Sequence, residues 1–476
     1  MTQETEYQGP LEGLNVVDFG HYYAGPMVGM LLADQGANVI RIVKPGEIEL
    51  SDQQYRLLNR NKKLLTLDLK TGEGKAQALC LIENADVVIE NFRPGVMKRL
   101  ELDYASLKNT NPGLVYLSLP GFASTDKKRA HLQAWEGVIA AAAGIFTEAH
   151  YFRQQLDYPP VYTSIPMSSS YGSMYGAIAV MAAIAAREEH GCGTVIEAPL
   201  VDAGLSTCTD KYMFRADAGY SDELSDDFKP LVFSSEDDQE TQLKKLSKPW
   251  DDALFDTYMS ADGRKMLVFS VKPKFAEKLY CALGLEGQLK QEGYIIENAW
   301  KEHWKDNLAY IGMSKARAQR PRQLVAEIMR TKTAEEWDAF MEKIGVPFTY
   351  HRTRDEWLKL EPLLNSGVLT HMDNGQSVLT VPGRVADISG PNEALRPTTP
   401  QEPQALDYRQ VEQLFAHQPA RKASLAPSLP QKKSDLLKGL KVLDICSIVA
   451  GPTSAYTLAQ YGAEVIRAEP PERFNL

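Results

Sequence analysis

A chain of 476 residues with 44% hydrophobic and 24% charged side chains is long enough for about three domains, each burying its own core. These proportions exclude a disordered, collagen-like or coiled-coil polypeptide. Lys and Arg number 52 against 62 Asp and Glu, a net charge of −10 whose field repels nucleic acid and anionic membranes, so neither is expected as a partner.

Taken in chain order, the opening MTQETEYQGPLEGLNVV lacks the basic and then apolar regions of a secretory signal. Asn15 to Phe19 (NVVDF) reads as a short apolar strand. Pro26 stands where the first residue of a helix would, and Met27 to Asp34 follows at helical spacing. Asn38 to Val43 and Leu64 to Leu69 read as strands, Lys75 to Asn84 as a helix, and Ala85 to Glu90 and Leu114 to Leu119 as two more strands. Such alternation predicts an α/β fold around a parallel sheet, with ligands bound at the carboxyl ends of the strands. The small-apolar run Ala177 to Ala186 is half the ~20 residues of a spanning helix. Residues 220–250 are strongly charged and read as a surface insertion. Residues 397–435 carry six Pro and read as a linker with one short helix around Leu406 to Phe415.

The end of the chain repeats its beginning. Residues 13–45 and 439–471 are identical at 15 of 33 positions without a gap, including an AGP triplet and a GA-x-VIR run. An offset of 426 residues is no solenoid period; it means a whole domain starting over. The expectation is a first unit of a longer tandem protein, with a second unit beginning near residue 436; the alternative is a short gene with a leftover C-terminal stub.

Several chemistries are missing. The five cysteines are odd in number, scattered and without C-x-x-C, against a disulfide framework or zinc ribbon; a reducing, cytoplasmic setting is expected. No G-x-G-x-x-G follows the first strand, there is no Walker A sequence, and no His pair has metal-binding spacing, so no metal is expected. In GSMYG the serine, Ser173, stands second of five, whereas a nucleophile elbow needs it third. Lys44, Arg60, Lys62, Lys63, Lys70, Arg93, Lys98 and Arg99 do fall near strand ends, as a multiply charged phosphate ligand would require. On charge alone, a solvated surface is the competing reading.

Four stretches carry more: DFGHYYAGP with GANVIRIVKPG; NRNKKLLTLDLKTGEG; ADVVIENFRPGVMKRLELDY running into NPGLVYLSLPGF; and Ser164 to Gly204, SIPMSSSYGSMYGAIAVMAAIAAREEHGCGTVIEAPLVDAG. With SADGRKMLVFSV, GVPFTYHRTRDEWL and NSGVLTHMDNGQSVLTVPG, in this order, they resemble the family III CoA-transferases over nearly all of residues 11–396. That group includes formyl-CoA and carnitine CoA-transferases and α-methylacyl-CoA racemases. The resemblance implies a large Rossmann-like domain in 1–215, a smaller α/β domain in 216–345, and a return to the large domain in 346–396. The linker 397–435 and a second repeat in 436–476 follow. Two such units interlock like links, and a tandem fusion would supply both from one polypeptide.

The resemblance also implies coenzyme A, carried as an acyl-CoA, as substrate. His21, Tyr23 and Ala24 would line its thiol-bearing arm, with core packing under the first helix as the alternative for His21 and Tyr23. Lys44 would stand near the nucleotide phosphates. Leu67, Asp68, Leu69 and Lys70 would hold the adenine by backbone contacts, and Asn91, Phe92, Arg93 and Arg99 would flank the pantetheine and phosphates. One departure is Gln133, before Trp135 and Glu136, where the family often has a basic residue.

Family catalysis runs through an aspartate four residues before a glycine that opens a small-residue helix. Its carboxylate attacks the acyl-CoA thioester to give a mixed anhydride, and the released thiolate then forms an aspartyl-CoA thioester. Here the glycine is Gly172 and the nucleophile position is Ser168, with no Asp or Glu between Asp157 and Arg187. No His with an acidic partner is evident to activate Ser168, Ser169 or Ser170. Ser168 is therefore expected to cap the following helix, and this unit to be inactive in acyl transfer. The tandem layout, the linker and the missing aspartate are similar to those of the dimethylsulfoniopropionate CoA-transferase/lyases. In those enzymes the acid is charged with CoA and dimethyl sulfide leaves. The alternatives are another tandem CoA-transferase, an acyl-CoA racemase, or a non-catalytic scaffold subunit.

Overall fold

The five apolar runs become strands β1 (Asn15–Asp18), β2 (Asn38–Val43), β3 (Lys63–Thr66), β4 (Val87–Glu90) and β5 (Val115–Ser118), and β6 (Thr194–Glu197), not read from the sequence, joins them. Further along lie β7 (Phe255–Met259), β8 (Lys265–Phe269), β9 (Phe348–Tyr350), the hairpin β10 (Leu369–Asp373) and β11 (Val378–Pro382), then β12 (Gln404–Ala405), β13 (Lys441–Asp444) and β14 (Glu464–Arg467). This computed structural model describes residues 9–47, 51–148, 160–208, 253–270, 272–296, 306–309, 315–365, 368–383, 400–417, 435–447 and 449–469. The charged stretch 220–250 lies outside them, as does most of the expected linker.

The chain divides into two compact units: residues 1–149 with 161–213 and 366–476, and residues 150–160 with 214–365. In the first, a seven-stranded parallel sheet has the order β12-β3-β2-β1-β4-β5-β6. The chain steps from β1 outward to β3, then crosses back to lay β4 on the other side of β1. That reversal opens a crevice at the carboxyl ends of β1 and β4. Val16, Val39, Val87 and Val115 face one layer while Val17, Ile40, Val88 and Tyr116 face the other. Both faces of the central strands β1, β4 and β5 are covered, which is why their runs read as apolar, whereas β6 at the edge alternates and leaves Val195 43% exposed.

Helices α1 (Ala24–Ala33), α2 (Asp52–Asn59), α3 (Gly72–Glu83), α4 (Glu136–Ala142), α5 (Met167–His190) and α6 (Leu200–Ser206) build these layers, with α7 (Tyr408–His417) beyond β12. Pro26 is the third residue of α1 rather than the first; its missing N–H is among the unpaired donors of the first turn at either place. The run Ala177 to Ala186 belongs to a helix of 24 residues, long and apolar enough by length and composition to cross a membrane. Here α5 is a core helix. Gly176 lets it lie directly on β5, since a Cβ there would stand 3.1 Å from Leu117 and 3.2 Å from Leu119. Residues 404–417, expected within the linker, instead add a strand to β3 and bury Val411 and Phe415 in the layer that holds α3.

The second unit sets β7, β8 and β9 as an antiparallel sheet under Tyr280, Leu279, Met341 and Trp337, whose Nε1 donates to the Met329 carbonyl at 2.8 Å.

The repeat is repeated in three dimensions. β13 and β14 pair in parallel with the β1–β2 register displaced by 426 residues: Asn15 opposite Asn38 becomes Lys441 opposite Glu464. Helix α8 (Ala450–Gln460) follows Val449 at φ −120° and ψ −64°, as α1 follows Tyr23 at φ −129° and ψ −63°. Asp444 accepts the Cys446 N–H at 2.9 Å, as Asp18 accepts that of Gly20 at 2.7 Å. Burial differs. Every residue of β1 is buried, whereas Leu443 and Ile466 in the second copy are 67% and 60% exposed.

Candidate functional site

Where β1 ends, Gly20 and Gly25 approach so closely that a Cβ on Gly20 would stand 2.6 Å from the Gly25 Cα. Between them Tyr22 adopts a left-handed φ of 61°, a conformation that costs a non-glycine residue energy and collects at functional loops. The loop is zipped to the end of β4. The His21 N–H donates to Asn91 Oδ1 at 2.8 Å, and Asn91 Nδ2 donates back to the His21 carbonyl at 2.9 Å. The His21 ring lies 5.0 Å from Phe92, and its Nδ1 is 3.2 Å from Glu47 Oε1. Glu47 also takes Arg41 at 2.7 Å and the Lys44 N–H at 3.1 Å. Burial alone would raise its carboxyl, but His21 and Arg41 together hold it below the ordinary value. The Tyr23 hydroxyl is 3.3 Å from Ser170 Oγ, in the first turn of α5, and Tyr22 packs 4.6 Å from Trp135.

The topological crevice therefore brings together His21, Tyr23, Asn91 and Phe92 beside the start of α5. Ala24 is buried, and its carbonyl accepts from Ser173 Oγ at 2.9 Å, so it turns toward α5. Leu67 is buried and Leu69 half-buried. Asp68 shapes their turn, its carboxylate accepting the Lys70 N–H at 3.0 Å and its carbonyl the Thr71 hydroxyl at 2.8 Å.

The eight cations separate into two groups. Lys62 is fully buried, 2.9 Å from Asp18 Oδ2 and 2.7 Å from the Pro26 carbonyl, and burial lowers its ammonium to about 8 against the pull of Asp18. Arg60 is buried on Asp34 at 2.6 Å, and Lys63 donates to Asn38 Oδ1 at 2.9 Å. These three bind the sheet together and offer nothing to a phosphate. Lys44, Lys70, Arg93, Lys98 and Arg99 are exposed, and among the described residues none of them pairs with a carboxylate. Arg93 Nη1 donates to the His131 carbonyl at 3.0 Å. Among the described residues no three His, Cys, Asp or Glu side chains converge as a metal ion would require.

Ser168 does not cap α5. It is the second helical residue after Pro166, it is fully buried, and among the described residues its hydroxyl has no hydrogen-bond partner. It lies against Gly204, where a Cβ would stand 2.5 Å from its Oγ, next to Ala143 and Ile145. The cap comes from another helix. Glu136, at the start of α4, accepts the Ser168 and Ser169 N–H groups, each at 2.9 Å, and the Ser169 hydroxyl at 2.6 Å. A carboxylate at a helix N-terminus is favoured by both the free donors and the helix dipole. With three donors on its two oxygens, it is fixed in place as a structural anion.

Sequence reasoning passed over two features. Glu90 closes β4 inside the crevice at 6% exposure; burial raises its carboxyl to about 7, despite hydrogen bonds from Ser118 and the Phe92 N–H. A lone acid ending an apolar run was its only signal. The second feature is a cavity of about 430 Å³ at the carboxyl ends of β2, β3 and β12, lined by Val43, Thr66, Leu67 and Tyr408 among others.

The model of CoA-transferase family III matches residues 11–404 and 437–474. CoA-transferase/lyase DddD of Marinomonas sp. (strain MWYL1) is 31% identical over 97% of this chain and 56% of its own length. Succinyl-CoA:mesaconate CoA-transferase of Haloarcula hispanica is 32% identical over 42% of this chain and 54% of its own length. The chain thus spans about half the length of the first of these relatives. Among solved structures, a CaiB/BaiF family protein from Brucella suis superposes with a TM-score of 0.63 at 24% identity, covering 86% of this chain and 100% of that one.

Proposed function

The chain belongs to CoA-transferase family III, and from that premise we propose that it is the CoA-binding first half of a tandem enzyme. The complete enzyme moves CoA from an acyl-CoA to a small carboxylic acid, with dimethylsulfoniopropionate as acceptor and dimethyl sulfide released. The observation that carries the tandem reading is the second β-α-β unit, which reproduces the register, helix entry and aspartate turn of the first at a constant 426-residue offset. Its exposed Leu443 and Ile466 are supported as faces that further strands and helices of a second unit would cover. The CoA-transferase/lyase relative, about twice as long, supports the same layout.

This half holds the ligand and does not attack it. Loops after β1 and β4 receive the pantetheine arm at His21, Tyr23, Asn91 and Phe92, while Lys44, Lys70, Arg93 and Arg99 meet the phosphates and Leu67 to Lys70 the adenine. The serine at the nucleophile position is sealed against Gly204, and Glu136 is occupied by α5, so the carboxylate that takes the acyl group comes from the second unit. The setting is a cytoplasm in which the free cysteines stay reduced.

The test is the intact mass of the protein from its native host, before and after acetyl-CoA. A mass about twice that of this chain, with a hydroxylamine-sensitive adduct mapped beyond residue 476, supports the reading. A protein of this chain's mass that takes no adduct overturns it in favour of a scaffold subunit.

A further inference from the structure

We propose that the segment between the two repeats completes a seat for the adenine base, and that Tyr408 and Asp407 are its recognition residues. The inference rests on the CoA reading above and adds residues to which no role has been attached. The cavity of about 430 Å³ at the ends of β2, β3 and β12 has the size of a small-ligand site. Its lining holds two aromatic rings, Tyr55 and Tyr408, two polar side chains, Gln77 and Asp407, and the β3 exit Thr66 and Leu67. Leu67 begins the stretch proposed above for the adenine, and Val43, paired with Thr66 and accepting the Leu67 N–H at 3.0 Å, directly precedes the exposed Lys44.

The wall that Tyr408 belongs to is firmly placed. β12 pairs with β3, setting Gln404 opposite Lys63, and the Leu406 N–H donates to the Leu64 carbonyl at 2.9 Å. Asp407 starts α7 with a reciprocal cap: its Oδ1 accepts the Gln410 N–H, and its own N–H donates to Gln410 Oε1, both at 2.9 Å. Tyr408 is half-buried, packed against the apolar layer that holds α3, and lines the cavity. A purine offers a flat π-face, an exocyclic amine that donates, and ring nitrogens that accept. Tyr rings meet the first, the second Asp407 carboxylate oxygen meets the amine, and the Gln77 amide can serve either edge. Phosphate-bearing arms without a base would gain nothing from this wall.

The experiment is isothermal titration of the full chain with CoA and with 4′-phosphopantetheine, for the wild type, Tyr408→Ala and Thr66→Trp. Thr66 is an exposed strand-end residue where a large ring would fill the cavity without entering the core. Tyr408→Ala is expected to weaken CoA about tenfold and to leave 4′-phosphopantetheine unchanged. Thr66→Trp is expected to erase the preference for CoA, with the far-UV circular dichroism of the wild type. Wild-type affinity for CoA in a folded Thr66→Trp variant overturns the pocket assignment, as does equal wild-type affinity for the two ligands. A wild-type chain that binds neither ligand overturns the CoA reading itself.

Discussion

Glu90 makes the crevice sensitive to pH in a direction the structure dictates. Its carboxyl is buried at the end of β4 and titrates at about 7, where an ordinary glutamate titrates near 4.5; burial is the chief cause, with the Glu197 charge adding to it. Between those two values the folded chain keeps a proton that the unfolded chain has released. Stability from this group therefore falls as pH rises through the window, by about 3 kcal/mol once both states are ionised. Glu90→Gln removes the ionisation and keeps an oxygen to accept the Phe92 N–H, which Glu90 now accepts at 2.7 Å. Urea unfolding at pH 4.5, 6 and 8, with hydrogen exchange of the β4 amides as a local probe, should show no advantage for Gln at the lowest pH. At pH 8 the advantage should reach about 2–3 kcal/mol. A Gln variant less stable than the wild type at all three values, or a gap that does not open with pH, would refute the reasoning.

Lys62→Met leaves the Asp18 carboxylate buried without its cation, at a cost of about 3–5 kcal/mol in urea unfolding. Asp18→Asn in the same chain should recover much of that loss; a loss below about 1 kcal/mol for the single variant would mean that the pair is not buried as described. Ser168→Asp places a carboxylate at the position proposed for the nucleophile but forces it against Gly204 and beside Glu136. The expected result is a loss of about 2 kcal/mol or more with no acyl adduct, by unfolding and intact mass. An adduct on residue 168 would show that the site is only one substitution from activity.

The middle of the parallel sheet was legible because β1, β4 and β5 lie in short apolar runs, whereas the edge strands β6 (TVIE) and β12 (QA) carry no such run; the repeat was legible because identity survives at matching positions without a gap. The NRNKK stretch was not. Its cations read as phosphate ligands, since their partners, Asp18 for Lys62 and Asp34 for Arg60, lie 44 and 26 residues away in sequence. Only the fold shows that the charges are already neutralised. The same distance hid the α5 cap, because Glu136 is 32 residues before Ser168. Local rules put the cap on the serine beside the helix, and the competing carboxylate won because its charge suits the helix dipole. In residues 404–417 the short helix was legible and forms as α7, but prolines at 400 and 403 mark a linker, whereas Leu406, Val411 and Phe415 carry enough apolar surface to dock on β3 and α3.

The central claim is that this chain binds an acyl-CoA in the crevice between β1 and β4 without taking the acyl group onto itself. The most direct measurement combines acetyl-CoA titration of the chain with intact mass after incubation, with and without hydroxylamine. The account predicts saturable binding, weakened by Asn91→Ala, and an unchanged mass. A hydroxylamine-sensitive adduct on this chain, or no binding at all, would contradict it.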